Sequence, residues 1–325
     1  MPFIHSRFLS SSTYLTAHLI AYRLAFRTIP RYDDITVFDP GYRRDVLAIN
    51  FNLFPIRTDL EHRLPLYLTS LGGWINQAAM DRPDGYAHYQ WLQTLSGQGK
   101  LMLPGREYTV SQGQGFLLLP NEPHAYRPVA EPWTIRWVTF SGHRASEILQ
   151  DLELYRSDVF YLSDPDVTLK HLQEMNLMLT HPHPTTGLEV SASLYSLMLD
   201  LYRYGSRSEL RSRNQQMDTL TPVLNYMEQH YSRPITLQEL ASLLSVSPQH
   251  TCVLFQRALG VRPIEYLTRL RIRKAKELLL RHPQAEIKEI AVQVGYDHPS
   301  YFIKLFKRQE GLTPTVFRSI HLHAL

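Results

Sequence analysis

The chain has 325 residues, enough for two domains, with 44% hydrophobic and 20% charged residues and a formal net charge of +4, a composition that excludes a disordered chain. Its single cysteine, Cys252, excludes a disulfide framework and a cysteine-based zinc finger, and fits a reducing cytoplasm. Residues 216–325 hold 14 Lys and Arg against 9 Asp and Glu, whereas residues 1–215 hold 20 against 21, so the positive excess sits in the C-terminal third, as in a module that binds a polyanion.

Residues 1–50 read as an N-terminal extension. Thr13–Pro30 is half apolar, but His18, Arg23 and Arg27 interrupt it. It lacks the clean apolar core and small-residue cleavage site of a secretory signal. The extension is expected to be poorly ordered, and no function is assigned to it. No apolar stretch in the chain approaches the roughly 18–20 residues of a membrane-spanning helix.

Residues 51–142 change character. YAHYQWLQTL, KLML, REYTV, FLLLP and WTIRWVTF are short runs rich in aromatic and β-forming residues. Gly97-Gln98-Gly99, Pro104-Gly105, Gln112–Gly115 and Asn121–Pro123 separate them, a spacing that predicts a small barrel or sandwich. Arg82, His88, Trp91, His124, Tyr126, Trp133 and Trp137 are the candidates for lining a small-molecule pocket, which combines aromatic walls with a few polar groups. A metal site is not expected, because Gln90 stands where a second histidine would have to accompany His88. No phosphate-binding glycine loop or nucleophile–base motif appears, so no enzyme activity and no cofactor are predicted. Residues 143–215 read as a helical packing or dimerisation segment and linker. The strong apolar stripe of LYSLMLDLYRYG (Leu194–Gly205) falls within it.

Residues 216–325 contain a degenerate repeat. ITLQELASLLSVSPQHTCVLFQRALGVRP (Ile235–Pro263) aligns with EIKEIAVQVGYDHPSYFIKLFKRQEGLTP (Glu286–Pro314), with one extra residue in the second turn. In the first copy Thr236 and Glu239 form a capping box. Leu237, Leu240, Ala241 and Leu244 follow helical spacing. Ser247 then caps a second helix that starts at Pro248 and ends at Gly260, with Leu254, Phe255 and Ala258 facing inward. Each copy is therefore a helix-turn-helix. The outward stripes are Gln249, Cys252, Val253 and Gln256 in the first copy, and Ser300, Ile303, Lys304 and Lys307 in the second. Between the copies, PIEYLTRLRIRKAKELLLRH (Pro263–His282) reads as one long helix. Its basic cluster includes Arg269, Arg271 and Lys274, which are assigned to phosphate contacts.

The motifs ITLQELASLLSVSP, FQRALGVRPIEYLTRLRIRKAKELL, IKEIAVQVGYDHPSYFIKLFK and GLTPTVFR resemble the DNA-binding domain of the AraC/XylS family of transcription regulators over about a hundred residues. The resemblance implies that both recognition helices read successive major-groove segments. The family's base-contacting positions fall on Gln249, Cys252 and Val253, and on Ser300, Ile303 and Lys304. Val253 stands where the family usually carries arginine, Cys252 where it carries a polar residue, and Thr251 where it carries a core leucine. Readout by the first helix is therefore expected to rest on Gln249, His250 and Gln256. The stretch from Asp81 to Pro128, with WTIRWVTFSG after it, resembles the family's cupin-like sensor domain. In sugar-responsive members an arginine in a similar DRP stretch, here Arg82, and aromatics near Trp137 hold the effector.

The expectation is an α+β multidomain chain: a small cupin-like barrel with a helical dimerisation segment, then an all-α domain with two helix-turn-helix motifs joined by a long helix. It would be a cytoplasmic, sequence-specific regulator that binds double-stranded DNA as a homodimer under control of a small-molecule effector. Contact with RNA polymerase is implied by the resemblance alone. A barrel enzyme with a helical appendage and an effector-free architectural DNA binder are the alternatives.

Overall fold

The computed structural model describes residues 50–207 and 212–322. Residues 1–49, and the expectation about their order, lie outside the described residues.

Strands β1 (Phe51–Leu53), β2 (Tyr67–Trp74), β3 (Met80–Arg82), β4 (Tyr89–Leu103), β5 (Arg106–Ser111), β6 (Gln114–Leu118), β7 (His124–Ser141), β8 (Asp158–Leu162) and β9 (Gly205–Ser206) form one antiparallel sheet. Its order is β1-β2-β7-β4-β6-β8-β9, with β3 on β7 and β5 on β4. The long strands β4 and β7 bend where their register shifts between Thr94 and Gly99, so that each serves two parts of the barrel.

Side chains alternate across a strand, and here the two faces make two cores. Leu92, Leu101, Phe116, Leu118, Tyr126, Trp133 and Ile135 gather on one face, the barrel interior. Trp91, Leu117, Val138 and Phe140 gather on the other. Helices cover that outer face: α3 (Pro165–Thr180) and α4 (Thr186–Tyr204) contribute Leu172, Met175, Leu194, Leu197 and Leu201. Two short helices, α1 (Asp59–His62) and α2 (Ala145–Asp151), sit at either end of the 59–151 stretch.

The sheet extends past residue 142, into the stretch expected to be helical. Asp158–Leu162 pairs with β6, from Gln114↔Tyr161 to Leu117↔Asp158. The run DVFYL is too short for helical periodicity to register, and its valine and aromatics favour a strand.

The C-terminal domain is all helix: α5 (Arg213–His230), α6 (Leu237–Leu243), α7 (Pro248–Leu259), α8 (Pro263–Arg281), α9 (Ile287–Gln293), α10 (Pro299–Glu310) and α11 (Pro314–Leu322). The sequence reading does not identify α5, whose internal Pro222 argues against a continuous helix. A capping box of Ser212 and Gln215, and burial of Leu220, Val223 and Met227, hold it together. The first helix-turn-helix packs around Phe255 with Leu240, Leu267 and Leu270. The second packs around Phe302 and Phe306 with Ala275, Leu279, Ile290 and Phe317. Helix α8 thus gives its first half to one core and its second half to the other. Each fully buried phenylalanine contributes about 1.5–3 kcal/mol over its exposed state.

Candidate functional site

On α7 the buried face is fixed by Phe255 and by Thr251, which is fully buried and returns its hydroxyl to the carbonyl of Ser247 at 3.1 Å. Ser247 accepts a hydrogen bond from the backbone N–H of His250 at 3.2 Å and so caps the helix. Gln249, His250, Val253 and Gln256 are exposed, whereas Cys252 is half-buried at the edge of that face. On α10 the buried Phe302, Leu305 and Phe306 turn Ser300, Lys304 and Lys307 to solvent. Ile303 is half-buried and packs against the second core. Tyr301 and Arg308, which the sequence reading leaves out, are also exposed and flank the stripe. Among the described residues no ion pair engages Lys304 or Lys307.

The basic cluster of α8 is used differently from the expectation. Arg271 donates to the carbonyls of Tyr231 and Arg233, both at 2.7 Å, and stacks over Tyr296. It ties α8 to the loop after α5 through Nε and one terminal nitrogen of the guanidinium. Lys274 and Arg273 both grip Glu228, at 2.5 and 2.6 Å, and Lys274 also lies over Tyr231. The hydrogen bond from Lys274, with Arg273 beside it, holds the Glu228 carboxyl below its usual range. Of the three assigned phosphate ligands, Arg269 alone is exposed, in a surface pair with Glu265 that is worth little and exchanges readily.

Within the barrel, register places a polar row across three strands. Gln90 lies opposite Thr139, and Thr139 opposite Ser70. The hydroxyls of Thr69 and Ser70 meet that of Thr139 at 2.6 and 2.7 Å. Arg82 donates to Gln90 at 2.7 Å and stacks over Tyr86. Among the described residues no carboxylate pairs with Arg82. Opposite it on β7 stands His124, 4% exposed. The Nδ1 of His124 lies 2.8 Å from the carbonyl of Glu122, an acceptor, so this nitrogen carries the proton. Its Nε2 is then a bare acceptor, buried and without a partner. Burial, reinforced by Arg82, keeps the imidazole below its ordinary pKa and neutral. Trp137, two residues before Thr139 on the same face of β7, stacks with Trp74.

The seven expected effector residues do not share one surface. Arg82, His124, Tyr126, Trp133 and Trp137 face the interior. Trp133 is fully buried, with its indole N–H donating to Thr94 at 3.2 Å. Trp91 points the other way, into the core under the helices, edge-on to Phe160. His88 precedes β4 and packs edge-on to Tyr86, and burial lowers its pKa. Among the described residues no group of three or more His, Cys, Asp or Glu side chains is placed to hold a metal ion. No helix among them is long and apolar enough to cross a membrane.

Two family models match in the order that the two domains predict. An AraC-like ligand-binding domain spans residues 77–198 and a helix-turn-helix domain spans residues 240–320. The chain belongs to the AraC family. Relatives include the lactose operon transcription activator of Staphylococcus xylosus, 25% identical over 68% of this chain and 80% of that one. The MmsAB operon regulatory protein of Pseudomonas aeruginosa is 29% identical over 78% and 82%. The arabinose operon regulatory protein of Escherichia coli is 26% identical over 74% and 83%.

Sequence reasoning missed the interior hydroxyls of this AraC-family barrel. Thr69, Ser70 and Gln90 look like ordinary strand residues, and only cross-strand register brings them beside Thr139. The signal available in the sequence was alternation: Gln90, Leu92 and Thr94 share a face that excludes Trp91.

Proposed function

We propose that this AraC-family DNA-binding regulator reads two successive major-groove segments, through α7 and α10, under control of a small polyhydroxylated effector held in the barrel. A major groove about 12 Å wide admits one helix, and two heads on one rigid spacer suit segments about 34 Å apart. Gln249 and Gln256 carry amides suited to adenine, and Val253 offers an apolar contact for a thymine methyl. Lys304 supplies a donor for guanine and Lys307 a charge for phosphate.

The observation that carries the effector reading is the pairing of Arg82 with His124. Arg82 offers a donor and His124 Nε2 an unsatisfied acceptor on directly opposed residues. A ligand hydroxyl satisfies both at once, whereas a carboxylate would leave the imidazole lone pair unmatched. Trp137 provides an apolar platform beside the row of hydroxyls. That two relatives regulate lactose and arabinose operons supports a sugar in this role. Calorimetric titration of the full chain with monosaccharides, alditols and sugar acids tests it. Binding of a neutral sugar that Arg82→Ala and His124→Phe both abolish is expected; binding confined to acids contradicts the reading.

Helix α4 supports a homodimer. Leu188, Ala192, Tyr195, Leu199 and Tyr202 recur at alternating spacings of four and three on the side away from the core, the pattern of a coiled-coil seam. Leu188 and Tyr195 are 41% and 45% exposed, a large apolar area to leave in water. The regulator acts in the cytoplasm, where its DNA and RNA polymerase are.

A further inference from the structure

We propose that Glu153, at the corner between α2 and β8, is the point through which the barrel sets the position of the first reading head, acting by way of Arg213 at the start of α5. The residue itself is unusual. Glu153 holds φ at 58°, in the left-handed region that residues with a side chain rarely occupy. Such a conformation persists where its surroundings over-determine it. Here the end of α2 sets it, with the Glu153 N–H returning to the Gln150 carbonyl at 3.0 Å and the Leu154 N–H to that of Leu149 at 2.7 Å, and two arginines on either side of the interdomain connection hold on to it. Arg207 donates to the Glu153 carbonyl, and Arg213 binds its carboxylate at 2.6 Å.

Arg213 also reaches two other elements. Its guanidinium stacks on Tyr202 of α4, 4.2 Å from the ring centroid, and approaches the carbonyl of Arg257 on α7 at 3.5 Å. One side chain therefore touches the barrel corner, the seam helix and the reading helix. Its neighbour strengthens the junction: Ser212, 2% exposed, caps α5 and bonds the hydroxyl of Ser163, between β8 and α3, at 2.8 Å. Local propensity does not explain Arg213. A cation at the first helical position faces the positive end of the helix dipole, and no acidic residue in the first turn of α5 offsets it. A residue that breaks a local rule marks a functional or strained place, and the three-way contact supplies the function. Helix α5, 18 residues and so about 27 Å long, carries its far end into the core of the first head. A displacement at Glu153 thus reaches α7 directly, and α10 only through α8.

Spin labels at Gln112→Cys in the barrel and Gln256→Cys on α7, in the full chain carrying Cys252→Ser, read the distance between barrel and head by double electron–electron resonance. The parent is expected to give one narrow distribution. Arg213→Ala should widen it at least about twofold and Glu153→Gln by less, since the glutamine variant loses only one of the three Arg213 contacts, and the double variant should go no further than Arg213→Ala. Arg213→Lys keeps the charge toward Glu153 but neither forks nor stacks as a planar group, and should fall between the parent and the alanine variant. An unchanged width in Arg213→Ala overturns the proposal. So does a widening that appears only together with lost helicity in circular dichroism, because that reports unfolding of α5 and not release of a clamp. No DNA or effector is needed, so this result stands apart from the fate of the DNA-reading and sugar-binding proposals.

Discussion

Ser245 and Gly295 occupy the same place in the two turns of the repeat, both in left-handed backbone, with φ of 54° and 84°. At Gly295 a Cβ would come within 2.8 Å of both Arg271 and the Tyr231 carbonyl, so the second turn tolerates glycine alone. The first turn carries an exposed serine there, at a local cost in backbone energy. The Tyr231 carbonyl and the Arg271 side chain bound to it make the difference, because together they occupy the space beside the second turn. The caps differ too: Ser247 caps α7 through its side chain, whereas His298 makes no such bond at α10. The buried faces stay alike, Phe255 matching Phe306, but the outward faces diverge into amides with valine on one head and lysines on the other. Burial constrains one face of each helix and leaves the other free, so a duplicated fold can read two different segments.

The sharpest way to break this comparison is through its cores. Phe255→Ala and Phe306→Ala should each cost about 3–5 kcal/mol in chemical denaturation. If the shared α8 makes one cooperative unit, either change removes DNA protection at both half-sites; loss confined to one half-site would show two independent heads. Arg271→Ala, which strands two carbonyls, should destabilise by about 1–3 kcal/mol with little change in the salt dependence of DNA binding. A flattened salt slope would return Arg271 to the phosphates. Lys304→Ala should cost about 1–3 kcal/mol in specific binding and relax preference at one or two base pairs, on the second half-site alone. Lys307→Ala should lower the logarithmic salt slope by about 0.9.

The smallest expected effect lies in the sensor domain. His171 sits between α3 and α4, its Nε2 2.8 Å from Asp200 and its Nδ1 3.6 Å from Glu174. Burial by itself lowers its pKa, but bonds to Glu174 and Asp200 outweigh that and raise it. A raised folded pKa stabilises the fold fully below the unfolded value of about 6.5, and the contribution fades as pH climbs through the folded value. The melting temperature gap between the parent and His171→Gln should therefore be widest near about pH 5.5 and close toward about pH 9. A gap that grows with pH would reverse the sign.

Much of the DNA-binding domain was legible because helix caps, Gly260 and Gly311, and the phenylalanines are local signals. Helix α5 was not, since Pro222 masks it and its stability comes from contacts with α7 and α8. The α8 cluster misled for a related reason: composition marks Arg271 as basic, but cannot show that two carbonyls hold it. In the barrel, aromatic residues were easy to find and hard to orient. Trp91 and Trp137 look alike in sequence, and pairing with β7 sends one under the helices and the other inward.

Hydroxyl-radical footprinting of a fragment selected from genomic DNA, with the parent chain, Gln249→Ala and Lys304→Ala, tests the central claim most directly. The account predicts two protected segments about 10–10.5 base pairs apart. Gln249→Ala should weaken the first segment and Lys304→Ala the second. A single protected segment, or both variants weakening the same one, would contradict it.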